Sequence, residues 1–176
     1  MVRVSGSRNR LTLGEPDGSL SLRLETLAAL PRGDGMTVEV IDRIRYRIRA
    51  KLLLNLANGP LAALTASSQR EIMSHGPPAQ AATRIVHEGA AVARALGCEP
   101  GAAEIGLPSL ASSAHRPSIL QDLERGRRME IGALHMAPLD FARELGVAPP
   151  TLDPVVALAS QSAPAAGPYD FQSPLE

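Results

Sequence analysis

Ile44, Ile48, Leu52 and Leu56 recur every four residues, a spacing that predicts an amphipathic helix entered from Asp42 as its cap. Tyr46, Leu53 and Leu54 broaden the apolar stripe. Lys51 and Asn55 fall on another face, one turn apart, so their side chains are neighbours. Asn58, Gly59 and Pro60 then predict a break or kink, with a restart over Leu61 to Thr65. Lys51 has two readings at this point. It is one more solvated cation beside Arg43, Arg45, Arg47 and Arg49, or it is an ammonium in the buried surround implied by Leu52 to Leu54, where it needs a partner.

Composition narrows the partners. The 176 residues have room for one domain with a fragment of a second. Eighteen basic side chains balance eighteen acidic ones, so no net field calls for nucleic acid or an anionic membrane. Aromatic residues make up 2% and tryptophan is absent, which removes the stacking platforms of single-strand binders and leaves Leu, Ala, Ile and Val to build the core. The single cysteine, Cys98, rules out an internal disulfide framework and reads as a small filler thiol in a reducing compartment. No apolar run approaches the roughly 20 residues of a membrane span. The N-terminal MVRVSGSRNR lacks an apolar signal core, so a cytoplasmic location is expected.

In chain order, Arg10 to Leu13 alternates as an edge strand and Gly14 to Gly18 carries turn signals. Ser19 to Leu30 has helical spacing at Leu20, Leu24, Leu27 and Leu30, with Ser19 as cap. Arg32 to Gly35 reads as a turn and Met36 to Ile41 as a second strand, giving β, α, β. Residues 66–78 read as a loop. Ala79 to Leu96 reads as an alanine-rich helix stopped by Gly97; His87 and Glu88 lie on it without the second histidine of a zinc-protease motif. Residues 97–117 read as irregular.

The stretch His115 to Ile131, HRPSILQDLERGRRMEI, gathers polar chemistry. Pro117 suits a helix start, and Ser118 lies in the first turn, where free N–H groups favour an anion such as a substrate carboxylate. Asp122 shares the face of Ser118, with Gln121 adjacent. An unbroken helix from Ser118 to Glu130 would span about 18 Å. Those two groups would then not act on one atom, but could touch two parts of an extended assembly, such as a substrate and a cofactor. Arg125, Arg127 and Arg128 read as a solvated basic turn, and Glu130 either pairs with them or contacts a ligand. Ile131 to Leu145 continues as helix, kinked at Pro138 and stopped by Gly146, with His135 as a core or surface residue. Asp153 and Pro154 cap and open a last helix over Val155 to Ala163, and the tail over 164–176 is frayed.

KLLLNLANGPLAAL at 51–64, PSILQDLERGRRMEI at 117–131 and the late helix after Pro149 and Pro150 together resemble the C-terminal domain of the ketopantoate reductase family, the 2-dehydropantoate 2-reductases. The first 41 residues resemble the end of that family's nucleotide-binding domain. The resemblance implies a mainly α fold: a helical bundle of the 6-phosphogluconate dehydrogenase C-terminal-like type, preceded by a short β-α-β remnant of a Rossmann domain. It divides the chain into 1–41, the remnant; 42–163, a helical substrate and dimerisation domain; and 164–176, a flexible tail. It implies NADP-dependent reduction of a 2-oxo acid in pantothenate biosynthesis and a likeness to family homodimers. By the same resemblance Lys51 is the catalytic proton donor, Asn55, Asn58 and Ser118 bind substrate, Glu130 reaches the cofactor ribose, and Asp122 is structural.

The departures are specific. The family usually shows a second asparagine just before the proline, where Gly59 stands here with Asn58 one residue early. Arg49 replaces a common aromatic, Gln69 falls loosely where some members place an asparagine, and Gly132 follows Ile131 in place of the usual Asp. These changes point to a related 2-oxo acid reductase branch. No G-x-G-x-x-G turn occurs in the 176 residues, and a Rossmann enzyme needs one. The alternative is therefore a non-catalytic helical dimerisation or ligand-binding module derived from that family.

Overall fold

The structure is a computed structural model that describes residues 9–30 and 36–162. The turn read over Arg32 to Gly35 and the tail at 164–176 lie outside the described residues. The fold is mainly α with one short β-α-β segment, as expected. It divides into two compact units at Ile48 and Arg49.

In the first unit, β1 (Asn9–Leu13), α1 (Leu22–Ala28) and β2 (Met36–Val40) follow in order. The strands pair in parallel, Asn9 opposite Met36 through Leu13 opposite Val40; a parallel pair needs a crossover, which α1 supplies. The helix starts later than its leucine spacing suggested. Ser19 is held in the preceding turn, donating from backbone N (3.0 Å) and Oγ (2.7 Å) to Asp17, so Ser21 becomes the cap and accepts from Leu24 N at 3.2 Å. Of the expected stripe only Leu24 is buried, and Leu20 is 73% exposed. Glu15 anchors this turn through Arg23 and Ser21, and Arg23 followed by Ser21 holds its carboxyl below the ordinary carboxylate range.

Helix α2 (Ile44–Thr65) passes through Asn58, Gly59 and Pro60 without the expected break. Pro60 cannot donate to the carbonyl four residues back, a defect of roughly 3 kcal/mol in an isolated helix. Every residue from 57 to 63 is buried, however, and that packing outweighs the missing bond. The reading of 66–78 as a loop also fails. Ser68 and Glu71 form a reciprocal capping box that opens α3 (Gln69–Ser74), a signal already present in the S-x-x-E spacing. Helix α4 (Gly76–Ala95) starts three residues earlier than read, with prolines in its first turn. The segment read as irregular holds α5 (Ala102–Ile105) and a 3₁₀ turn, Leu107–Ser112.

Helix α6 (Ser118–Glu124) is short. Arg127 N donates to Asp122 O at 2.8 Å and Gly126 N to Leu123 O at 3.1 Å, with Gly126 at φ 61°. This Schellman closure ends the helix, so the continuous rod to Glu130, and the separation drawn from it, do not hold. The chain then enters a π-helical turn (Gly132–Met136) that leads into α7 (Ala137–Glu144). The π turn takes the place of a simple kink at Pro138: Ala137 N bonds Gly132 O, five residues back, just before the residue that has no N–H to offer.

Helix α8 (Leu152–Gln161) begins after Thr151 with no side-chain cap of its own. Asp153 is not that cap, and lies beside Arg143 at 3.4 Å. The free N–H groups of Thr151 and Leu152 instead donate to the Glu88 carboxylate of α4, at 2.9 and 2.8 Å. Leu53, Leu56, Ile72, Ile85, Leu120, Leu139, Leu152 and Val156 fill the core of this unit, and Cys98 is buried as a free thiol. Among the described residues no helix is long and apolar enough to cross a membrane, and no side-chain group suited to a metal ion is found.

Candidate functional site

Because α2 is unbroken, Lys51, Asn55, Asn58 and Gly59 lie on successive turns of one rod. They line a cavity of about 130 Å³ with Ser118 at the start of α6, Gln69 at the start of α3, His115, and His135 from the π turn. Two backbone bonds hold the wall opposite α2 together: Gln69 N donates to His115 O at 3.1 Å and Arg70 N to Ser113 O at 2.9 Å. The space suits several waters or one small organic acid, well below the roughly 300 Å³ at which drug-sized pockets begin.

Lys51 is exposed at the rim of this cavity, in contrast to the buried surround its leucine neighbours implied, and among the described residues it has no ion-pair partner. Asn55 is half-buried and Ser118 is exposed. Amides, an ammonium, a hydroxyl and imidazoles supply the polar lining, and no carboxylate contributes to it. That balance favours an anionic ligand: a fixed cation at the mouth faces no competing acid.

At the deep end the polar groups are fully enclosed. Asn58 is 1% exposed; its Nδ2 donates to Leu54 O at 2.8 Å, while Oδ1 has no partner among the described residues. His135 is likewise 1% exposed, and neither ring nitrogen has a hydrogen-bond partner among the described residues. Burial pushes its pKa down to about 4 from 6.5, against a smaller opposing effect from the nearby Asn55 and Glu130 carbonyls, neither of which meets hydrogen-bond geometry with the ring. His135 is therefore neutral at physiological pH. Gly59 makes room for it, since a Cβ there would lie 2.9 Å from His135 Nε2.

The fold brings Lys51, Asn55, Asn58 and Ser118, the four catalytic and substrate-binding residues expected from the sequence, to one cavity. Glu130 is exposed and outside the lining. Among the described residues Glu130 pairs with none of Arg125, Arg127 and Arg128: Arg127 pairs with Asp122, and Arg125 donates to Gln121 at 3.4 Å. The residues missed as site members are His135 and His115, with Gln69 placed only loosely. A capping-box reading would have put Gln69 at a helix start. Nothing in the sequence distinguished His135 from an ordinary core histidine.

The family described as Ketopantoate reductase PanE/ApbA C terminal matches residues 43–163. The chain belongs to this family. A 2-dehydropantoate 2-reductase from Mesorhizobium japonicum is 36% identical over 91% of this chain and 50% of its own length. The crystal structure of 2-dehydropantoate 2-reductase from Methylococcus capsulatus superposes with a TM-score of 0.79 at 28% identity, over 89% of this chain and 51% of that one. A D-mandelate dehydrogenase solved in a ternary structure with NADH and anilino(oxo)acetate gives a TM-score of 0.67 at 25% identity, over 73% of this chain and 44% of that one. The chain thus spans about half the length of the curated ketopantoate reductase relatives it matches.

Proposed function

We propose that this chain supplies the substrate half of a ketopantoate reductase-type enzyme, which reduces a 2-oxo acid such as 2-dehydropantoate to its 2-hydroxy acid with NADPH. The observation that carries the reading is the acid-free cavity that places Lys51 beside Asn55 and opposite Ser118. In this reading Lys51 binds the 2-oxo group through its ammonium, stabilises the alkoxide as the carbonyl carbon is reduced, and passes one proton to that oxygen. Its exposure lets solvent restore the proton. Asn55 and Ser118 orient the carboxylate and oxo oxygens, and Asn58 contributes a buried carbonyl oxygen. The reading extends to a homodimer formed through the helical unit and to a cytoplasmic location.

The 176 residues carry no G-x-G-x-x-G turn, and Glu130, the one candidate cofactor contact, stands exposed beyond the Gly126 turn. The chain itself is expected to bind 2-dehydropantoate, measured by calorimetry, and Lys51→Ala to weaken that binding about tenfold, as loss of a charge-assisted hydrogen bond requires. Equal affinity in the two proteins would sink the assignment of Lys51.

A further inference from the structure

A second concavity, of about 100 Å³, lies between α2, α4, the π turn and α7. At about 100° per residue its α2 members Arg49, Leu52 and Leu56 fall on the side of the helix away from Lys51 and Asn55. Leu52, Leu56, Val92, Leu96 and Phe141 make the lining apolar, and Arg49 is its one charged side chain. Arg49 is half-buried and has no ion-pair or hydrogen-bond partner among the described residues, while Phe141 at the rim is 46% exposed. A dry apolar cavity of about 150 Å³ accepts benzene, so this space, open on one side, suits one aromatic ring. A guanidinium at its edge favours the same occupant, because it gains from the face of a ring.

The chain carries such a group outside the described residues. Two of its four Tyr and Phe residues, Tyr169 and Phe171, stand two apart near the C-terminus, and residues 163–176 hold Asp170 and Glu176 with no Lys or Arg. We propose that this acidic aromatic segment docks in the groove, with the Phe171 ring between Leu52, Val92 and Leu96 beneath Arg49, and Tyr169 against Phe141. Leu152, in the first turn of α8, lines the groove, and α8 carries the chain about 15 Å away from it. The seven residues from Ser162 to Tyr169 span up to about 23 Å, enough to return. A tethered segment acts at an effective concentration in the millimolar range, so one ring and one cation suffice to hold it. A second copy of the chain is the weaker occupant, since a stable interface buries roughly 800 Å² on each partner and this opening is one ring wide.

The test records methyl spectra of the full chain and of the double variant Tyr169→Ala and Phe171→Ala. Ring-current shifts on the Leu52, Val92 and Leu96 methyl groups are expected in the unaltered chain and lost in the variant, with the Ile85 and Ile119 methyl groups unmoved in both. Chymotrypsin is expected to cut after Tyr169 and Phe171 about tenfold faster in Arg49→Glu than in the unaltered chain, because the exposed fraction of the segment sets the rate. Groove methyl shifts identical in the full chain and the double variant, or equal cleavage rates, would overturn the proposal. Groove shifts that grow with protein concentration would overturn it in favour of a second copy.

Discussion

His135 has a consequence for stability. Its folded-state pKa of about 4 lies below the ordinary 6.5, so as the pH falls through that window the unfolded chain takes up a proton that the folded chain refuses. Stability is full above the upper value and declines towards the lower one, by about 3 kcal/mol in all for a shift of this size. Chemical denaturation at pH values spanning the window should show that slope in the unaltered chain and a flatter one in His135→Phe. An identical slope in both proteins would mean that the ring is far more accessible than its burial indicates. Gly59 is its counterpart: Gly59→Ala is expected to destabilise the protein despite alanine's higher helix propensity, because the new methyl group meets a ring that has nowhere to go. A melting temperature equal to or above that of the unaltered chain would contradict this.

At the scale of elements, what could be read in advance followed from spacing, and what could not depended on distant partners. The four-residue recurrence from Ile44 to Leu56 located α2 and put Lys51 beside Asn55. It could not show that burial of residues 57–63 would carry the helix through Pro60. The end of α6 is legible in Gly126, a residue suited to the left-handed conformation that closes the helix there, and the polar run up to Glu130 does not carry the helix past it. The start of α8 was not legible, because its cap comes from Glu88, 63 residues away in sequence. Glu88→Ala should therefore cost about 1–2 kcal/mol, with Glu88→Gln costing less because its one remaining acceptor oxygen keeps part of the cap. Thermal denaturation of both variants checks this, and no change in either would show that water caps α8 equally well.

For the whole molecule, family membership rested on motifs that are both local and widely separated, 51–64 and 117–131, and these lie within the span the family match covers. Function beyond membership depends on a site only partly carried here. The 176 residues contain no glycine-rich dinucleotide turn, so the chain alone is expected to show no NADPH-dependent reduction of 2-dehydropantoate when loss of reduced-nicotinamide absorbance is followed. Turnover that disappears in Lys51→Ala would refute that expectation and identify an unrecognised cofactor site within these residues.

The π turn at Gly132–Met136 also sets a phase. One residue beyond the α-helical count offsets everything after it by about 100° around the axis. Leu139 and Ala142 reach the core only in that offset register. The turn thus couples two requirements that have no direct contact: the residue that lets His135 meet Gly59 also aims the apolar stripe of α7. Loss of a single residue from this pentapeptide would swing Leu139 and Ala142 towards solvent without altering either side chain, so the length of the turn is a constraint of its own.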